Sequence, residues 1–126
     1  MTEKEAFPVH HRAKNCPGHT EALSVEESTF EKVTDLFRIM SDPTRLRILL
    51  ALDGRELSVG CLSEEVGMTV SAVSHQLRIL RDARLVSARR EGKSTLCRLS
   101  DGHVCGMVEL AVEHAAEQKS LKFGSF

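Results

Sequence analysis

The stretch from Ser58 to Asp82 constrains the fold more than any other part of the chain. After Ser58, a residue type that caps helix N-termini, Val59, Leu62 and Val66 recur at helical spacing. Gly67 stops that run, because glycine enters the left-handed conformation that closes a helix without steric cost. Three residues of turn lead to Ser71. From there the spacing predicts a helix to about Asp82, with Val73, Leu77 and Leu80 facing inward. Two short helices joined by a tight Gly-containing turn, the second polar on its outside, make a helix-turn-helix pattern.

The flanking segments extend it. Leu85 to Arg90 is expected as a strand, Glu91-Gly92-Lys93 as a turn, and Ser94 to Leu99 as the returning strand. Leu96 and Arg98 then share one face, and Cys97 and Leu99 the other. This hairpin has the place of a wing. Upstream, Ser24 with Glu27 three residues on is a capping-box pattern, and the helix it opens carries Phe30, Val33, Leu36, Phe37 and Met40 on an apolar face. Ser41-Asp42-Pro43 breaks it. Pro43 suits the first turn of a second helix, to about Leu52, with Leu46, Leu49 and Leu50 inward. A last helix is expected over Asp101 to Glu117, with Val104, Met107, Val108, Ala111 and Ala115 as its apolar stripe. The expected fold is mainly α with a small β-hairpin, a winged helix-turn-helix of order α-α-α-α-β-β-α. Residues 23–119 form that domain, 1–22 a flexible N-terminal arm and 120–126 a frayed tail.

Composition excludes several classes. The 126 residues suffice for one domain with a modest core. No apolar run approaches the roughly 20 residues of a membrane span, and no signal-peptide core is present, so a cytoplasmic protein is expected. The four cysteines, Cys16, Cys61, Cys97 and Cys105, form no C-x-x-C pair and are read as thiols or ligands rather than disulfides. Cys97 and Cys105 are expected as buried apolar thiols. With neither Trp nor Tyr, a stacking platform for single strands is not expected. No phosphate-binding glycine loop or catalytic triad spacing is present, so the chain is not read as an enzyme.

Double-stranded DNA is the expected partner. Ser71, Ser74, His75, Gln76 and Arg78 make the polar face of the second helix of the pair. Gln and Arg side chains suit the edges of adenine and guanine in the major groove. Arg89, Arg90 and Lys93 at the wing would track the backbone. From Ser71 to Lys93 six basic residues stand against Asp82 and Glu91, although the whole chain has net charge −1. Such a local excess is what a phosphate footprint needs.

The last helix carries a second chemistry. Asp101 and His103 stand at its start, His114 and Glu117 near its end. On an α-helix the two histidines return to within about 20° of one face but lie about 16 Å apart along the axis. Ligand bonds of about 2 Å cannot span that gap within one chain. A single ion can use all four groups only if a second copy of the helix runs antiparallel, so that Asp101 and His103 of one chain meet His114 and Glu117 of the other. Two-fold symmetry then gives two such sites in a homodimer.

With these residues in place the chain resembles the ArsR/SmtB family of metal-responsive repressors, over roughly residues 26–118. The resemblance is carried by Asp42-Pro43-Thr44-Arg45-Leu46-Arg47-Ile48-Leu49, Glu56-Leu57-Ser58-Val59, Ser71-Ala72-Val73-Ser74-His75-Gln76-Leu77, Leu85-Val86 and the Arg90-Glu91-Gly92-Lys93 turn. The last helix is similar to that of the zinc-sensing branch, whose D-x-H and H-x-x-E pairs form an inter-subunit tetrahedral site. The resemblance implies Zn(II) as effector. It also implies an apo dimer that represses by holding operator DNA, released by metal to derepress efflux or storage genes. The family's other site pairs N-terminal cysteines with a Cys-rich loop. Here Ser58 and Gly60 replace loop positions, leaving Cys16, His19 and Cys61 as a possible second site. Two alternatives stay open: a nickel, cobalt or cadmium sensor drawing ligands such as His10 or His11 from the arm, and a thiol-redox repressor of the same fold.

Overall fold

A computed structural model describes residues 22–117. Its elements in chain order are α1 (Glu27–Met40), α2 (Pro43–Ala51), β1 (Leu57–Ser58), α3 (Val59–Val66), α4 (Val70–Asp82), β2 (Val86–Glu91), β3 (Ser94–Leu99) and α5 (Gly102–Glu117). The expected helices and hairpin are present in the expected order. The added element is β1, two residues long, which pairs antiparallel with β3 through Leu57↔Cys97 and Ser58↔Leu96. Its brevity gives no alternation to read from sequence. Residues 1–21, with His10, His11, Cys16 and His19 of the arm, and the tail from residue 118, lie outside the described residues.

Contacts divide the chain after Leu36. The first unit holds α1 as far as Leu36. That helix starts at Glu27, and its first turn is closed by the Phe30 N–H donating to the Glu26 carbonyl at 2.9 Å. Ser24 therefore precedes the helix, and the capping box expected there does not form. No residue of α1 is buried, and the expected inward face is open: Phe30 is 57% exposed and Phe37 63%. An amphipathic pattern states that a face needs covering, not that its own chain covers it.

In the second unit, from Phe37, α2 begins at Pro43 with Asp42 as its cap, Oδ2 accepting from the Arg45 N–H at 3.0 Å. Ile48, Leu49 and Leu52 are buried, while Leu50 is exposed, which reverses the expectation for Leu50. In the unbroken apolar run Ile48-Leu49-Leu50-Ala51 the helical period alone does not select the inner face. The α3 and α4 helices form as the residues dictate. The Ser58 hydroxyl accepts from the Cys61 N–H at 3.1 Å, and Gly67 closes α3 at φ 71°. Thr69 caps α4 through the Ala72 N–H at 3.1 Å, so α4 begins one residue before Ser71. The Ser63 hydroxyl donates to the Met68 carbonyl and holds the turn between the two helices.

Val73, Leu77 and Leu80 of α4 are buried as expected, where α4 packs against α2, α3 and β2. Fully burying a side chain of this kind stabilises the fold by about 1.5–3 kcal/mol. The sheet order is β1-β3-β2, with β2 and β3 registered from Val86↔Leu99 to Glu91↔Ser94. Cys97 and Leu99 are buried and Arg98 is exposed, as the alternation requires. In α5, Val104 and Val108 are buried, but Ala111 and Ala115 of the expected stripe are exposed, as are Leu110 and Val112.

Candidate nucleic-acid interface and metal centre

Because Val73, Leu77 and Leu80 fix which side of α4 is inside, the opposite arc is determined. Ser71, Ser74, His75 and Arg78 lie exposed on it. Gln76 differs. It is half-buried at the edge of the arc, and its Oε1 accepts from Arg45 Nη1 at 3.1 Å. The same guanidinium donates through Nε to the Ile39 carbonyl at 2.9 Å. Arg45 thus ties the end of α1 to α4.

At the wing, Gly92 takes φ 62° and turns the chain, leaving Arg90 and Lys93 exposed. Arg90 Nη1 donates to the Thr95 hydroxyl at 3.1 Å across the hairpin. Arg89 is held elsewhere: Nε and Nη2 each donate to the Glu56 carboxylate at 2.9 Å. That fork holds the Glu56 carboxyl below the usual carboxylate range, the hydrogen bond from Arg89 being the main cause. Neither Arg45 nor Glu56 stands out in the sequence as a functional side chain, because each partner lies more than 30 residues away.

Asp101 caps α5: its Oδ1 accepts from the backbone N–H of His103 at 2.9 Å and of Val104 at 3.1 Å. His103 Nδ1 stands 3.7 Å from the same oxygen, and the His103 side chain is 93% exposed. Asp101 and His103 are therefore brought together at one end of the helix. His114 and Glu117 lie exposed near the other end, and among the described residues no three potential ligands gather at one point. Of the second set, Cys61 is exposed on α3, while Cys16 and His19 are outside the described residues. Cys97 is buried, as expected, and burial pushes its thiol up; Cys105 is only half-buried.

One acidic contact had no sequence signal. Glu109 of α5 faces Asp53, and the hydrogen bond and charge of Asp53, with burial, push the Glu109 carboxyl up. Asp53 Oδ1 is buried without a hydrogen-bond partner among the described residues.

No helix among the described residues is long and apolar enough to cross a membrane. Residues 42–88 match the sequence pattern of the bacterial regulatory proteins of the arsR family. A transcriptional repressor SmtB homolog from Synechocystis sp. is 38% identical over 77% of this chain and 72% of its own length. Among solved structures, the AntR antimony-specific transcriptional repressor superposes with TM-score 0.72 at 33% identity, covering 83% of this chain and 96% of that one. A homodimeric winged helix-turn-helix DNA-binding domain from Mycobacterium bovis shares the fold, with TM-score 0.71 at 24% identity over 81% of this chain and 97% of that one. The α3–α4 pair, the β2–β3 wing and these likenesses lead to one conclusion: the chain belongs to the arsR family of bacterial transcriptional regulators.

Proposed function

We propose that this protein is a cytoplasmic, metal-responsive repressor whose metal-free homodimer binds operator DNA and lets it go when Zn(II) occupies an inter-subunit site on α5. Metal efflux or storage genes are the targets this reading expects. The observation that carries it is the arrangement on α5: an Asp-His pair at one end, a His and a Glu near the other, and a single chain that does not bring them together.

The donor set fits the metal. Asp101 uses Oδ1 for the helix cap, which leaves Oδ2 for a ligand bond. Two imidazoles and two carboxylates suit four-coordinate Zn(II), which would supply a cross-link between the two chains through deprotonated donors. Affinity does not choose zinc over nickel or copper, so the geometry of the four donors must. The dimer this requires has apolar surface to bury: α5 exposes Leu110 and Val112, and α1 exposes Phe30, Val33 and Phe37.

On the DNA side, Ser71, Ser74, His75 and Arg78 of α4 would enter the major groove, with Arg90 and Lys93 on the backbone beside it. Two copies related by a two-fold axis would place two α4 helices on half-sites. Linkage then requires reciprocity: if ligation on α5 favours a dimer whose α4 helices miss the half-sites, DNA weakens metal binding by the same factor. A competition titration of the demetallated protein with Zn(II) tests the site. This reading expects two ions per dimer, both lost in the His103→Ala/His114→Ala double variant. Unchanged stoichiometry in that variant would move the metal off α5.

A further inference from the structure

We infer that Arg84 binds a phosphate of the DNA backbone at the C-terminal end of α4, from a backbone conformation that arginine rarely adopts. The inference rests on the DNA-binding reading and adds to it a residue outside the exposed arc of α4 and the wing.

Two helices end in the same way. At the end of α3 the Gly67 N–H donates to the Glu64 carbonyl at 3.3 Å and the Met68 N–H to the Ser63 carbonyl at 3.1 Å. At the end of α4 the Arg84 N–H donates to the Arg81 carbonyl and the Leu85 N–H to the Leu80 carbonyl, both at 2.9 Å. This pattern needs one left-handed residue. α3 supplies Gly67 at φ 71°, and α4 supplies Arg84 at φ 63°. Among the described residues Arg84 is the one non-glycine residue with positive φ. There the Cβ crowds the following carbonyl, and glycine closes such a turn with less strain. The turn therefore does not account for the arginine, and strain of this kind points to a use for the side chain itself.

The protein does not hold that side chain. Arg84 is exposed, and its guanidinium has neither a hydrogen bond nor an ion pair among the described residues. Arg45, Arg55 and Arg89, by contrast, are tied to Gln76, Glu65 and Glu56. The negative end of the α4 dipole is already served by Arg81 in its last turn. With 13 residues α4 is about 20 Å long, and the major groove is about 12 Å wide. A helix with its N-terminal residues on the bases thus runs past the groove, and its C-terminal end meets the bordering backbone. A phosphate there takes two parallel N–H bonds from a guanidinium.

The test is affinity against salt for a duplex enriched by the parent and for one of unrelated sequence. The full chain, Arg84→Gly, Arg84→Gln and Arg84→Lys are compared, each checked by thermal unfolding. Arg84→Gly relieves the backbone and removes the cation. It should melt no lower than the parent and bind several-fold more weakly at low salt, with the slope of log affinity against log salt shallower by about 0.9. Arg84→Gln keeps the strained backbone without the charge and should lose the same slope; Arg84→Lys should keep the parental one. The loss should be equal on both duplexes, because phosphate carries no base information. A parental slope in Arg84→Gly and Arg84→Gln overturns the inference, whichever way Tm moves; a lower Tm beside it would make the arginine a stabiliser of the helix end. A parent that enriches no duplex refutes the DNA-binding reading itself, and the inference with it.

Discussion

Arg89 and Glu56 meet as a two-point fork, Nε to Oε2 and Nη2 to Oε1, both at 2.9 Å. A wing arginine that charge counting assigns to phosphate is thereby tied to the segment just before β1. Glu56→Gln weakens the fork and releases a cation. At low salt the variant should bind duplex DNA several-fold more tightly. Its plot of log affinity against log salt should steepen by about 0.9, the increment for one added phosphate contact. An unchanged slope would mean that Arg89 stays on its partner. The pH dependence has a definite sign. Arg89 depresses the folded-state pKa of Glu56, so the link is fully present above the unfolded value and is lost as pH falls through the folded one.

Asp101 has two separable tasks. As a helix cap it accepts two backbone N–H groups, and as a proposed ligand it must be a carboxylate. Asparagine caps as well as aspartate, whereas alanine at a cap costs about 1 kcal/mol. Asp101→Asn should therefore melt with the parent and lose most of its Zn(II) affinity, while Asp101→Ala loses both. Equal Zn(II) affinity in Asp101→Asn and parent would remove Asp101 from the ligand set.

The Asp53–Glu109 contact predicts a stability that depends on pH. Asp53 raises the folded-state pKa of Glu109, so the folded chain holds more protons than the unfolded one between the two values. Stability attributable to this pair thus falls as pH rises across that window, and the deficit persists above it. Glu109→Gln can donate to Asp53 at any pH. It should raise Tm by a few degrees at neutral pH and leave it unchanged in acid, below the usual carboxylate range. An offset independent of pH would contradict this.

Thiol chemistry should divide by burial. Cys97 is 1% exposed and its thiol is pushed up by desolvation, so little thiolate is present to react. Cys61 is exposed. Iodoacetamide at neutral pH, read by mass spectrometry, should label Cys61 in the folded protein and Cys97 only after unfolding. Rapid native labelling of Cys97 would show that the sheet opens.

The parts of the fold legible in the sequence are those where local signals agree. Ser58, Gly67 and the Val73-Leu77-Leu80 row each define a cap, a stop or a face without help from distant residues. Leu50 and Ile48 show the opposite case. In α2 the apolar residues Ile48, Leu49, Leu50 and Ala51 follow one another, so only packing against α3 and α4 decides that Ile48 is buried and Leu50 exposed. That the two halves of the proposed α5 set lie apart in one chain was legible, because helical geometry alone separates them. The Arg45–Gln76 and Arg89–Glu56 links were not, because sequence spacing carries no information on which side chains the turns bring together. The exposed faces of α1 and α5 read as core in the sequence for the same reason: an apolar stripe does not name the chain that covers it.

Release of operator DNA by metal is read out as a change in DNA affinity. A duplex enriched by the demetallated protein would be titrated at fixed salt, with and without stoichiometric Zn(II), beside the His103→Ala/His114→Ala double variant. Adding Zn(II) should weaken binding by the parent at least about tenfold and leave the variant unchanged. Equal loss in both would place the responsive site away from α5. No loss in either would contradict metal release altogether.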